Sequence, residues 1–131
     1  MFDHLSFGVS NFDQSLAFYD AVLKPLGISR MFAMAAQGIA GFSGEGGTTF
    51  WLYANDQAQN PLGAIASPPR MHLAFKAKDA AAVDAFYAAA MDQGGSDEGA
   101  PGIRSQYHPK YYAAYVRDPN GYKLEAVCHN G

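Results

Sequence analysis

Residues 3–7 read Asp-His-Leu-Ser-Phe, and residues 71–75 read Met-His-Leu-Ala-Phe. The histidines and the phenylalanines of these two stretches are separated by one offset, because 72−4 and 75−7 both give 68. The same offset recurs further along the chain, where Phe18 is repeated as Phe86. Self-similarity at one fixed spacing is the signature of a duplicated structural unit. The sequence therefore predicts two equivalent modules, each with a histidine on its first strand.

Both modules show the same succession of predicted elements. Alternating apolar residues predict a first strand near 2–9 and its repeat near 71–77. Each strand leads into an amphipathic helix with a polar N-cap, Asn11 in one module and Asp79 in the other. Three shorter strands follow each helix, near 28–34, 37–43 and 47–54 in the first module and near 98–105, 111–116 and 121–128 in the second. The predicted fold class is α+β: two β-α-β-β-β modules, related by a pseudo-twofold axis, that form a curved mixed sheet around a concave pocket.

The length of the chain fits a single domain that spans residues 1–131. Its 131 residues are 49% hydrophobic and 14% aromatic, which is enough apolar material for one core. We expect module one at about 1–55, a linker at about 55–69 that carries Asn60-Pro61, and module two at about 70–131.

Charge and cysteine content exclude several classes of function. The net charge is −3, without the basic face that nucleic-acid binding needs. No stretch approaches the roughly 18 consecutive apolar residues of a membrane span. The single cysteine, Cys128, precludes an internal disulfide and fits a reducing cytoplasm. Since Cys128 alternates in phase with apolar neighbours, we expect a buried structural thiol.

Three polar residues lie opposite the apolar face of their strands. His4 alternates with Leu5, His72 with Leu73, and Glu125 with Leu124, so all three are predicted to point away from the helices. Two imidazoles and one carboxylate suit Zn²⁺, Ni²⁺, Fe²⁺, Mn²⁺ or Co²⁺ and leave open positions for substrate. The alternative is that the histidines are merely hydrogen-bonded and that Glu125 pairs with an arginine or lysine.

At this point the chain resembles the vicinal oxygen chelate superfamily, which includes glyoxalase I, fosfomycin- and bleomycin-resistance proteins and extradiol dioxygenases. The resemblance rests on the two histidine strands, on residues 15–19 and on residues 115–125, which end in Asp-Pro-Asn-Gly-Tyr-Lys-Leu-Glu. In metal-dependent members, a histidine on the first strand of each module and a glutamate on the last strand hold the metal. These positions fall on His4, His72 and Glu125. The resemblance also implies a divalent metal cofactor, a small-molecule substrate and a homodimer.

One position departs from the pattern of glyoxalase I. There, a glutamate on the last strand of the first module is a fourth ligand and the base, and the matching position here is about Trp51. An indole carries only a donor, so it cannot ligate a metal or accept a proton. Glu45, the nearest carboxylate, lies in a glycine-rich turn where we expect it to be solvated. Glyoxalase I activity is therefore disfavoured. Fosfomycin resistance is disfavoured too, because those proteins carry further basic residues after the last-strand glutamate.

Aromatic and basic residues suggest a pocket for a small, partly apolar anion. The predicted pocket residues are Trp51, Tyr53, Arg104, Tyr111 and Tyr115, and Tyr107, Lys110 and Tyr112 belong to the same sequence region. His108 and Tyr115 are the candidate catalytic residues, although the tyrosines can equally fill the core or a dimer interface.

Two functions remain open. The first is a metal-dependent enzyme of the lyase, isomerase or transferase class that chelates vicinal oxygens of its substrate. The second is a metal-free protein that binds or sequesters a small molecule, as bleomycin-resistance proteins do. The ligand triad favours the first, and Trp51 favours the second or an altered reaction.

Overall fold

A computed structural model describes residues 1–55 and 71–131, and within them the predicted order of elements is confirmed. Module one consists of β1 (His4–Val9), α1 (Phe12–Leu23), β2 (Ser29–Met34), β3 (Ile39–Ser43) and β4 (Thr49–Ala54). Module two consists of β5 (Leu73–Lys76), α2 (Ala80–Asp92), β6 (Ser96–Ile103), β7 (Tyr112–Arg117) and β8 (Lys123–Cys128). The predicted linker lies, apart from its first residue, outside the described residues.

The strands of each module form one four-stranded sheet with the same internal order. Module one has the order β1-β4-β3-β2 and module two the order β5-β8-β7-β6. In each sheet the first and last strands of the module run parallel, and the other neighbours run antiparallel. The duplicated α+β architecture is thereby confirmed. The eight strands nevertheless form two open sheets, not one continuous sheet, since β1 and β5 each have a partner on one side only in the described part of the chain.

The helices begin where the sequence predicted, because their caps satisfy exposed backbone donors. The side chain of Asn11 accepts a hydrogen bond from the backbone N–H of Gln14 at 3.1 Å. Asp79 accepts one from the N–H of Ala82 at 2.8 Å. A 3₁₀ turn extends α1 to Leu26 and ends at Gly27, whose φ of 74° lies in the left-handed region. No described helix is both long and apolar enough to cross a membrane.

The core lies between the helices and one face of each sheet, and α1 also packs against α2. The helix residues Phe18, Tyr19 and Phe86 are fully buried, and Tyr87 is partly buried against the same core. Cys128 belongs to the same cluster and is buried as expected. The face of each sheet that points away from the helices is therefore left for the predicted site residues.

A buried aspartate in the β7–β8 turn joins the two modules. Oδ1 of Asp118 accepts hydrogen bonds from the backbone N–H groups of Asn120 and Tyr122 at 2.9 and 2.8 Å. Its Oδ2 accepts one from the hydroxyl of Tyr19, on α1 of the other module, at 2.7 Å. Burial raises the pKa of Asp118, and these hydrogen bonds to the carboxylate oppose that rise. The Asp-Pro-Asn-Gly turn thus stabilises both its own backbone and the contact between modules.

Replacing Tyr19 by Phe should lower the free energy of unfolding by about 1–3 kcal/mol, because a buried carboxylate oxygen loses its donor. Denaturant unfolding of the purified protein measures the change. Tyr53→Phe is the matched control, since Tyr53 is exposed and its hydroxyl does not contact Asp118. Equal stability of Tyr19→Phe and the wild type would show that the bond between modules contributes nothing.

Candidate metal centre

Glu125 and His72 meet on the sheet face that points away from the helices. Glu125 lies on β8 beside Ala74 of β5, and its side chain is only 2% exposed. Oε2 of Glu125 lies 2.8 Å from Nε2 of His72, which precedes β5 by one residue. The flanking Leu124 and Ala126 point into the core, as the alternation predicted. The structure therefore brings together two of the three predicted ligands.

Two tyrosines surround the same carboxylate. The hydroxyl of Tyr111 donates a hydrogen bond to Oε1 of Glu125 at 2.6 Å. Tyr115 lies beside Glu125 in the β7–β8 register. Burial, and then the hydrogen bond to Glu125, raises the pKa of Tyr111 to about 12. Burial and the charge of Glu125 also raise the pKa of Tyr115. Both hydroxyls are therefore protonated at neutral pH and act as donors.

A cavity of about 460 Å³ opens on this face. It is lined by His72, Glu98, Gly99, Arg104, Gln106, Tyr107, Tyr115 and Lys123. The guanidinium of Arg104 lies 5.6 Å from the centroid of the Tyr115 ring, and Nζ of Lys123 lies 5.5 Å from it. Glu98 is bound to Arg117 at 2.6 Å and lies 3.8 Å from Lys123. Two cations thus flank Tyr115 beside the pair of His72 and Glu125, which suits an anionic group.

Lys123 was missed by sequence reasoning, although a signal for it existed. It precedes Glu125 by two residues on β8, and residues two apart on a strand share a face. Applying the alternation of the last strand to its lysine, and not only to its glutamate, predicts Lys123 in the pocket.

His4 lies elsewhere. It begins β1 in the other sheet, its side chain is 57% exposed, and its Nδ1 lies 2.7 Å from a carboxylate oxygen of Asp3. Across residues 1–55 and 71–131 no three metal-ligating side chains form a cluster. Within one chain, His4 therefore does not join His72 and Glu125, and its role as a ligand stays a prediction.

Trp51 is the counterpart of Glu125 in module one. The parallel strand pairs align Ser6 with Trp51 and Ala74 with Glu125, and 74−6 gives the repeat offset of 68. The indole Nε1 donates to Oγ1 of Thr49 at 3.0 Å. Its ring covers Gly41, where an added Cβ would approach the indole to 2.8 Å. In the structure, the residue that departs from the glyoxalase I pattern therefore occupies the position in module one that Glu125 occupies in module two.

Two of the aromatic residues of the predicted pocket, Trp51 and Tyr53, lie on this first sheet. The ring centroid of Trp51 lies 6.5 Å from that of Tyr53 and 6.2 Å from that of Phe32. Tyr53 and Phe32 are 42% and 41% exposed. The predicted pocket residues consequently divide between two sheets, with Trp51 and Tyr53 on one and the remaining three in module two.

The other candidates have varied positions. His108 and His129 form a pair with their Nε2 and Nδ1 atoms 2.8 Å apart, and His108 does not line the cavity beside His72. Tyr112 faces the helices, because its hydroxyl donates to Asp84 on α2 at 2.7 Å. Although Tyr112 belongs to the same sequence region as the predicted pocket residues, it does not face the cavity, because the even-numbered residues of β7 point into the core. Glu45 is exposed in its turn, as expected, and Lys110 is exposed as well.

The pair of His72 and Glu125 fits a divalent metal ion. Two ligands that bind one ion at about 2.1 Å and at right angles lie roughly 3 Å apart. The observed 2.8 Å is the length of a hydrogen bond between the two groups and is close to this value, so a small movement of either side chain would admit an ion. An imidazole nitrogen and a carboxylate oxygen are also donors that Zn²⁺, Fe²⁺ and Mn²⁺ accept. A third protein ligand has to come from outside this pair.

Comparisons with known proteins agree with the fold. A metallothiol transferase FosB from Shouchella clausii is 30% identical over 131 residues, which cover 98% of this chain and 79% of the relative. The crystal structure of a glyoxalase/bleomycin resistance protein from Albidiferax ferrireducens has a TM-score of 0.77 and 31% identity, and the match covers 97% of each chain.

A fosfomycin resistance protein is similar in fold alone. This is a mutant of FosX from Listeria monocytogenes, solved with Mn(II) and 1S,2S-dihydroxypropylphosphonic acid. Its TM-score is 0.68 at 14% identity, and the match covers 97% of this chain and 88% of the FosX chain. The family model described as Glyoxalase/Bleomycin resistance protein/Dioxygenase superfamily matches residues 1–126. Because this match spans nearly the whole sequence, the chain belongs to that superfamily.

Proposed function

We propose that this protein is a metal-dependent enzyme whose His4, His72 and Glu125 hold a divalent ion. The observation that carries the proposal is the buried carboxylate of Glu125, 2.8 Å from His72 beside a cavity. Burial of a carboxylate is costly unless a cation or several donors compensate for it. When bound, the ion supplies Lewis-acid chelation of two adjacent substrate oxygens and stabilises negative charge that develops on them.

A second copy of the chain supplies His4 in this proposal. His4 is exposed on β1, whose outer edge has no partner in the described residues, and β5 has the same free edge next to His72. Pairing β1 of one copy with β5 of another extends the two sheets into one and brings the equivalent histidines together. A homodimer then contains two sites, each with His4 from one copy and His72 and Glu125 from the other.

The substrate is a small molecule with an anionic group. Arg104 and Lys123 flank Tyr115 on the cavity and attract negative charge. The neutral hydroxyl of Tyr115 can donate a proton or hydrogen bond to the substrate. The general base is unassigned, because His108, a candidate from the sequence, is hydrogen-bonded to His129 of the same chain.

The FosB relative, named as a metallothiol transferase, supports the transferase class among the three candidates. The Mn(II) and phosphonate in the FosX structure support a metal and an anionic substrate.

A metal-free binding protein is the second candidate. The exposed side chains of Phe32 and Tyr53, which both lie against the half-buried Trp51, favour it, because such a surface suits an apolar or planar ligand. Metal analysis of protein purified without added metal or chelator separates the two candidates. Less than one tenth of a metal ion per chain, with no binding on addition of Mn²⁺ or Zn²⁺, would favour the binding protein.

Divalent ions should stabilise the metal-free protein, because a ligand of the native state alone shifts unfolding by mass action. We expect Zn²⁺, Ni²⁺, Co²⁺ or Mn²⁺ to raise the melting temperature of the wild type, and Glu125→Gln to remove most of the rise. Glu45→Gln is the control, since it removes an exposed carboxylate. An equal rise in Glu125→Gln and the wild type would show that the ions bind elsewhere.

Mixed dimers test whether two copies share a site. His4→Ala and His72→Ala homodimers should each lack intact sites, whereas a dimer with one copy of each retains one intact site and loses the other. Dimers purified through two different tags should therefore bind one metal ion, compared with two in the wild type. Sedimentation should give about 28 kDa, twice the 14.0 kDa chain mass. Mixed dimers without metal would contradict the shared site.

The position of Trp51 predicts negligible glyoxalase I activity. Without a carboxylate at this position, isomerisation of the methylglyoxal–glutathione hemithioacetal should fall about 10²–10⁴-fold below that of an ordinary glyoxalase, even with saturating Ni²⁺ or Zn²⁺. Trp51→Glu should add a fourth ligand and tighten metal binding, with Trp51→Gln as the uncharged control. Robust turnover by the wild type would mean that another residue provides the base.

A further inference from the structure

The two oxygens of Glu125 have different surroundings. Oε2 faces His72 at 2.8 Å, where the proposed ion would bind. Oε1 accepts the hydrogen bond of Tyr111 at 2.6 Å. A free carboxylate can turn about its last bond and offer an ion either one oxygen or both. Here, one oxygen is already engaged by a donor from the protein.

The ring of Tyr111 is itself held in place from several sides. Its centroid lies 4.8 Å from that of Tyr107, 5.5 Å from that of His108 and 5.2 Å from that of His129. The two histidines are joined to each other at 2.8 Å. The backbone of Tyr111 is bonded as well, because its carbonyl accepts from the N–H of Arg104 at 2.7 Å. The hydroxyl therefore points at Glu125 from a supported position.

We propose that Tyr111 is a positioning residue that holds Oε1 of Glu125, so that Glu125 offers only Oε2 to the ion. This inference rests on the proposed metal site and adds the coordination mode of one ligand. It assigns a role to the Tyr-His-Pro-Lys-Tyr stretch at residues 107–111 and to His129. Tyr111 acts through Glu125 and does not line the cavity beside His72.

The structure indicates what the loss of the hydroxyl would do. In Tyr111→Phe, Oε1 loses the donor that holds it, and the carboxylate is free to turn away from the orientation in which Oε2 faces the ion. Partners that orient a metal ligand typically contribute about 10–100-fold to metal affinity. The effect should therefore appear both in affinity and in the geometry of the bound ion.

Tyr111→Phe and Tyr112→Phe form a matched pair for the experiment. Both lose one tyrosine hydroxyl that donates to a carboxylate, but Tyr112 bonds to Asp84 on α2, away from Glu125. Mn²⁺ affinity is measured by electron paramagnetic resonance and the coordination of Co²⁺ by its d–d absorption. We expect Tyr111→Phe to weaken Mn²⁺ binding about 10–100-fold, because the carboxylate is no longer oriented, and to change the intensity of the Co²⁺ absorption, because the coordination of the ion is no longer fixed. Tyr112→Phe should match the wild type in both.

The outcomes distinguish failure of this inference from failure of the proposed function. A wild type that binds no Mn²⁺ or Co²⁺ overturns both. A wild type that binds them through Glu125, with unchanged affinity and spectrum in Tyr111→Phe, overturns the positioning role alone. If Tyr111→Phe does not fold, His129→Ala, which removes one side of the ring support, should give a smaller loss of Mn²⁺ affinity. Unchanged affinity in that variant would also overturn the role.

Discussion

The site depends on one buried charge, the carboxylate of Glu125. It lies in a strand whose other residues from Leu124 to Cys128 are all buried. Removing a carboxylate from water costs several kcal/mol unless hydrogen bonds or a cation compensate. Tyr111 and His72 supply two such contacts, one for each oxygen. A divalent ion bound here, as proposed, would add positive charge beside the same carboxylate.

Duplication supplied two similar frameworks, and divergence of a few side chains gave them different surfaces. In module one the paired positions on β3 and β4 carry Gly41 and Trp51. In module two the equivalent positions on β7 and β8 carry Tyr115 and Glu125. In module one the large aromatic residue of the pair lies on the last strand, β4, whereas in module two it lies on β7, next to the last strand. One sheet consequently presents an indole surface, and the other presents a carboxylate beside a tyrosine.

Much of the fold followed from local signals in the sequence. The offset between His4 and His72 revealed the repeat, alternation located the strands, and Asn11 and Asp79 located the helix starts. The division into two sheets did not follow, because a hydrophobic pattern specifies the buried face of a strand but not which free edges pair. The hydrogen bond between Tyr111 and Glu125 could not be predicted from the sequence either. It depends on the path of the loop that precedes β7, which has no periodic pattern.

The proposed ligand set couples metal binding to assembly. His4 lies on one sheet, and His72 and Glu125 lie on the other, so no single copy completes the site as the described residues are arranged. Two ligands from one chain bind an ion more weakly than three, because the third adds its bond after the ion is already positioned. In this proposal, an ion held between β1 of one copy and β5 of the next would stabilise the dimer as well as the site. By linkage, dimer formation would then raise the affinity for the ion by the same factor, and the proposed ligand set beside the cavity of Arg104 and Lys123 would be complete only in the assembled protein.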